Sequence, residues 1–194
     1  MKTTCALAAL LMLFPAAMGW TEEPAIDLEA MMAEMPKPTA EHEWLKQLVG
    51  EWETEATITM GPGAEPITHT GTETVEAIGG FWIMGRNKGI CPLDGSPFTG
   101  IMTLGYDPAK EKYVGTWVDS MNSHLWTYEG TVDAAGKTLT LETEGMSPAN
   151  PEETCKFRDV MELKGRDERV FTSSFEGPDG EWMKMVAIKS RRVK

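Results

Sequence analysis

From residue 51 onward, apolar and polar positions alternate in short runs rich in Thr, Val, Trp, Tyr and Phe. Clusters of Gly, Pro, Asn and Asp break these runs roughly every ten residues, the pattern of half-buried strands joined by tight turns. About ten strands are predicted, over 52–60, 67–78, 81–89, 98–106, 112–120, 124–132, 138–144, 155–163, 169–176 and 182–191. Gly61-Pro62-Gly63, Gly79-Gly80, Asp107-Pro108 and Gly165-Arg166 are among the turns. A sheet this long leaves two sticky edges unless it closes on itself. The predicted fold is therefore all-β, an antiparallel up-and-down barrel of about ten strands. Upstream, Thr39 is a natural N-cap, Trp44, Leu45, Leu48 and Val49 recur at helical spacing, and Gly50 ends the segment. One short helix is expected there, plugging one end of the barrel. Leu28, Met31, Met32 and Met35 share a face over 27–35, enough for one or two helical turns packed loosely on the domain rather than a metal site.

Strict alternation of direction assigns every turn to an end. If Trp52 starts at the base, the turns near 61, 92, 121, 148 and 178 lie at the other end. The two longest connections, 90–97 and 145–154, share that end, which marks it as the mouth. Cys91 and Cys155 fall there too. A disulfide between them would contribute about 4 kcal/mol but needs Cα atoms within about 7 Å; two buried thiols are the alternative. At the base, Trp52 opens the first strand while Arg191 and Arg192 end the last, and closure makes those strands neighbours. A guanidinium over the indole, taken as Arg191 on Trp52, would seal the base as a structural contact.

The length of 194 residues fits one domain plus a leader. Met1-Lys2 precedes an apolar run over 6–18 with small residues at Ala17 and Gly19. That is the layout of a secretory signal peptide, too short to span a bilayer comfortably. The expected organisation is a signal peptide over 1–19, a flexible or partly helical segment over 20–38, and the barrel over 39–194, exported to the periplasm or medium with no membrane insertion after cleavage. Cys5 precedes the apolar run and is not placed for lipid attachment. A net charge of −12, spread along the chain, disfavours nucleic acid and anionic membranes as partners.

The stretch from Trp117 to His124 carries the most chemistry. Trp117 and Asp119 share a strand face, so both could line the interior with His124 at the rim. Alternatively Asp119, Ser120 and Asn122 cap a turn and Trp117 is core. Arg86 and Arg158 lie within strands. Pointing inward, either would anchor a carboxylate; pointing outward, they are ordinary solvent-face charges. Asp119, Ser120 and His124 crowd one turn without a nucleophile elbow or an oxyanion-hole motif, which argues against a hydrolytic triad. His42, His69 and His124 show no metal-ligand spacing. His42 is expected to be exposed, and His69 to be a surface or strand-pairing residue.

Leu48-Val49-Gly50-Glu51-Trp52 and the terminal Arg191-Arg192 resemble the Gly-x-Trp motif and closing arginine of lipocalin-like (calycin) barrels. A fuller likeness covers 36–192. Pro97-Phe98-Thr99-Gly100, Gly105-Tyr106-Asp107-Pro108, the run from Lys112 to Met121, Glu129-Gly130-Thr131, Gly136-Lys137-Thr138-Leu139-Thr140 and Gly177-Pro178-Asp179-Gly180 resemble, in order and spacing, the bacterial domain-of-unknown-function 1579 family. This resemblance implies a lipocalin-like barrel and no particular activity. Nitrobindin, similar in fold type, holds haem through a histidine, but the last strands here contain no His, so haem is not expected and no cofactor is assigned. The leading expectation is a non-enzymatic binder of a small hydrophobic or amphipathic molecule, oriented by Arg86, Arg158 or Asp119. An enzyme acting within the cavity and an envelope interaction module with a filled barrel are the rivals.

Overall fold

The computed structural model describes residues 27–193, apart from 60, 62, 92–93, 149 and 151. The leader over 1–19 and Cys5 lie outside the described residues. Two compact units divide at residue 36. In the first, α1 (Leu28–Ala33) is a short helix whose Leu28, Met31 and Met32 are exposed. The second unit holds α2 (Ala40–Leu45), a 3-10 turn (Lys46–Leu48) and ten strands. These are β1 (Gly50–Ile58), β2 (Ile67–Ile78), β3 (Trp82–Ile90), β4 (Pro97–Asp107), β5 (Lys112–Asp119), β6 (Trp126–Val132), β7 (Thr138–Met146), β8 (Thr154–Leu163), β9 (Glu168–Glu176) and β10 (Trp182–Arg192). The strands form one closed antiparallel barrel in the order β1-β10-β9-β8-β7-β6-β5-β4-β3-β2, as the alternating pattern predicted. Each strand pairs with its chain neighbours, and β1 closes on β10.

The base is filled and tied down. Thr39 starts α2, and its backbone N–H donates to His42 Nδ1 at 2.9 Å. His42 is buried, contrary to expectation, because its ring packs edge-on against Phe81 and Tyr106 where the helix crosses the barrel floor. Trp44 Nε1 donates to the Gly136 carbonyl at 2.8 Å, and Tyr113 Oη donates to the Glu41 carbonyl at 3.2 Å. Leu45 and Leu48 are fully buried with Trp52, Val75, Ile83, Leu104 and Leu139 in one apolar cluster. The helix therefore seals the end that carries the β2–β3, β4–β5 and β6–β7 turns.

Closure uses a different arginine from the one expected. Trp52 pairs in register with Arg192, while Arg191 pairs with Glu53. Alternation then sends Arg192 toward Trp52 and Arg191 to the outer face. The Arg192 guanidinium lies 4.1 Å from the Trp52 ring centre and donates to the carbonyls of Gln47 and Val49. Arg191 instead forms an exposed ion pair with Glu53.

Cys91 and Cys155 are both free thiols. Cys91 follows β3 and Cys155 lies in β8, and five steps separate those strands in either direction around the barrel. Both cysteines reach the same end, as expected, but from opposite walls, and a disulfide has no way across.

Candidate functional site

Above the sealed base the barrel encloses a cavity of about 490 Å³ that opens at the other end, within the size range of small-molecule sites. Its shape follows from an uneven distribution of side-chain volume. The inner faces of β1, β2 and β3 carry Thr54, Ala56, Gly71, Asn87 and Gly89, which leave space. The inner faces of β4 to β8 carry Phe98, Trp117, Trp126 and Phe157, which form an aromatic wall. Phe98 stacks toward Trp117 at 6.4 Å, and Trp126 meets Phe157 edge-on at 4.8 Å. Two glycines set this wall. A side chain at Gly100 would overlap the Trp117 ring, and one at Gly145 would overlap Trp126. The six-membered ring of each indole therefore sits over a glycine of the neighbouring strand. In β10 a bulge between Lys184 and Val186 shifts the alternation, so Met185 and Val186 both reach the cavity.

Polar groups inside this apolar shell fall into two clusters. Low in the barrel, Arg169 on β9 forms an ion pair with Glu73 on β2, with both side chains buried. The Arg169 guanidinium also lies 4.1 Å from the centre of the Trp52 ring. Burial pulls the Arg169 pKa down and Glu73 pushes it back up, and the cation stays charged because arginine starts so high. Midway up, Asp159 on β8 is 7% exposed and faces the cavity. Desolvation raises its pKa to about 6, against the opposing hydrogen bonds from the Ser173 and Tyr128 hydroxyls. Tyr128 is itself pushed up, by burial first and by the Asp159 charge second. Three buried atoms around the cavity have no hydrogen-bond partner: Asp159 Oδ1, Thr143 Oγ1 and His69 Nε2. His69 is thus a cavity residue rather than a surface one. Buried polar atoms are nearly always satisfied in folded proteins, so these three set the cavity wall apart from a packed core.

The residues singled out from sequence divide sharply. Trp117 and Asp119 do line the cavity, and Trp117 Nε1 donates to Asp119 Oδ2 at 2.8 Å. Asp119 also caps its turn, accepting from the Met121 backbone N–H at 2.8 Å, so the two readings of this residue hold together. His124 stands at the rim on the edge of Trp126, before β6 begins, and does not line the cavity. Arg86 and Arg158 point outward, because the inward positions of β3 and β8 belong to Ile83, Gly85, Asn87 and to Phe157, Asp159, Met161. Arg158 pairs with Glu142 at 3.0 Å and covers the Trp182 ring. Asp119 accepts from Trp117 and Asn122 while His124 Nε2 lies 3.3 Å from the Glu144 carbonyl, so the two have separate partners. Sequence reasoning missed Asp159, Tyr128, Glu73, Arg169, His69 and Thr143. Strand alternation from Phe157 or Met161 could have placed Asp159 inside; nothing local marks the Glu73–Arg169 pair. Among the described residues, no group of three or more His, Cys, Asp or Glu is arranged to hold a metal ion.

A family model described as protein of unknown function (DUF1579) matches residues 37–192. No curated protein matches the chain by sequence. Among solved structures, the chain is similar to Rv2717c from M. tuberculosis at 14% identity and a TM-score of 0.60, over 81% of this chain and 100% of that one. It is also similar to the S-type phycobiliprotein lyase CPES from Guillardia theta at 14% identity and a TM-score of 0.55, over 86% of this chain and 98% of that one. At such identities the likeness is one of fold.

Proposed function

The chain belongs to the DUF1579 family, and from that membership and the shape of its barrel we propose that it is an exported carrier or sensor that binds one small apolar or amphipathic molecule inside the barrel. The observation that carries this reading is the cavity of about 490 Å³, walled by aromatics and holding three buried polar atoms without partners. Apolar walls supply affinity and the few polar groups set orientation. A filled barrel acting only through its outer surface would have no use for such a space. Export rests on the leader pattern over 1–19. Native mass spectrometry of the protein purified from a bacterial envelope fraction tests both parts. The expected result is a chain starting near residue 20, with a retained small molecule or saturable uptake of a neutral fluorescent lipid probe. Absence of both retained mass and probe uptake would overturn the binding reading; recovery of the intact leader in the cytoplasm would overturn export.

A further inference from the structure

We propose that the molecule held in the barrel is an apolar amine whose protonated nitrogen sits against Asp159. The inference deepens the cavity-binding reading and rests on it. The charged groups that reach the cavity differ in what already satisfies them. Arg169 is the one cation buried there among the described residues, and Glu73 neutralises it. Lys88 touches the cavity wall but is an exposed residue at an outward position of β3. Asp119, near the mouth, already accepts from Trp117 Nε1, the Met121 backbone and the Asn122 side chain. Asp159 differs from all of these. Among the described residues it faces no cation; the hydroxyls of Tyr128 and Ser173 reach it, and its Oδ1 is buried without a partner.

A carboxylate in such a place is an anion short of one donor and one positive charge. An ammonium supplies both. A neutral alcohol supplies the donor alone. A fatty-acid carboxylate supplies neither, and it meets a like charge where the cation buried in the cavity, Arg169, is already taken by Glu73. Thr143 Oγ1, on the neighbouring strand β7, can accept a further N–H bond of an amine. The faces of Trp117, Trp126 and Phe157 offer an apolar body its contacts and attract a cation placed near them.

The test uses three probes that share one alkyl chain: decylamine, decanol and decanoic acid. Each is titrated calorimetrically into the purified protein at pH 7.5. Decylamine is expected to bind at least tenfold more tightly than decanol, with decanoate weakest. In Asp159→Asn the amine's advantage should fall to less than threefold while decanol binding is kept. Equal or weaker binding of the amine relative to the alcohol overturns the amine inference and leaves the cavity reading standing. An amine preference that survives Asp159→Asn assigns the recognition elsewhere and also overturns it. No binding by any of the three overturns both readings. Should Asp159→Asn fail to fold, the ranking of the three probes on the unaltered protein still decides.

Discussion

Arg191 and Arg192 are adjacent in the chain, yet their removal should have very different consequences. Arg192 covers the Trp52 ring and holds the carbonyls of Gln47 and Val49, so it ties the 3-10 turn to the barrel seam. Arg192→Ala loses the cation–π contact and leaves those carbonyls short of a donor, which should cost about 2 kcal/mol or more. Arg191→Ala removes only an exposed ion pair with Glu53 and should change stability by less than about 0.5 kcal/mol. Urea unfolding of the two variants side by side checks the contrast. At the Glu73–Arg169 pair, Glu73→Gln strands a buried guanidinium and should cost about 3–5 kcal/mol. Asp159 acts in the opposite sense. Its pKa rises from 3.8 to about 6 on folding, through desolvation. The folded protein therefore binds the proton more tightly than the unfolded chain does. Its stabilising contribution is full below the unfolded value and is lost as pH rises through about 6. The groups facing it are Tyr128 on β6 and Ser173 on β9, with His69 and the Glu73–Arg169 pair across the cavity. The unfolding free energy of the unaltered protein relative to Asp159→Asn should accordingly fall by about 2 kcal/mol between pH 4 and 6.5. A flat difference over that window would mean that Asp159 is solvated.

At the scale of the element, the strands were the most legible part of the chain and their faces the least. Ten runs bounded by turn residues mapped onto ten strands, because turn chemistry is local and glycine, proline and aspartate announce it. Which face looks inward is a different question, and the usual guide fails here. Inward positions of β2 and β3 carry His69, Gly71, Glu73, Gly85, Asn87 and Gly89, because this wall borders a cavity instead of a packed core. The inward arginine is Arg169 rather than Arg86 or Arg158, and its partner Glu73 lies 96 residues away, a separation that leaves no trace in local pattern. The bulge in β10 further switches the inward set within one strand. The cysteines show the same division. Direction along the barrel was readable, but wall position required counting strands around the closed sheet. The aromatic wall also has an element-level test. Gly100 on β4 and Gly145 on β7 are the beds on which Trp117 and Trp126 lie. Gly100→Ala pushes a methyl into the Trp117 ring, which should destabilise the protein by about 1–3 kcal/mol and shift its tryptophan emission.

At the scale of the whole molecule, the two ends of the barrel are built for different purposes. The base concentrates the buried apolar cluster, both guanidinium contacts to Trp52 and the helix that seals the floor. The mouth carries the longer connections, exposed apolar side chains at Ile90, Met121, Leu125 and Met146, and free thiols on opposite walls. On the proposed function, stability and binding are separated in space, so one should be alterable without the other. Ala56 is a suitable place to try, since it lies on the thin wall of β1 and faces the cavity. Ala56→Phe puts a ring into open space far from the base contacts. If the space is a ligand site, this variant should unfold at the same or a higher urea concentration, because it buries added apolar surface without displacing packed neighbours. It should also lose probe uptake. The unaltered protein should gain thermal stability with rising probe concentration, as expected for a ligand that binds only the folded state, and the variant should not. A variant that keeps both its stability and its probe uptake would place binding outside the barrel. A variant that loses stability would show that the interior is more tightly filled than its lining residues indicate.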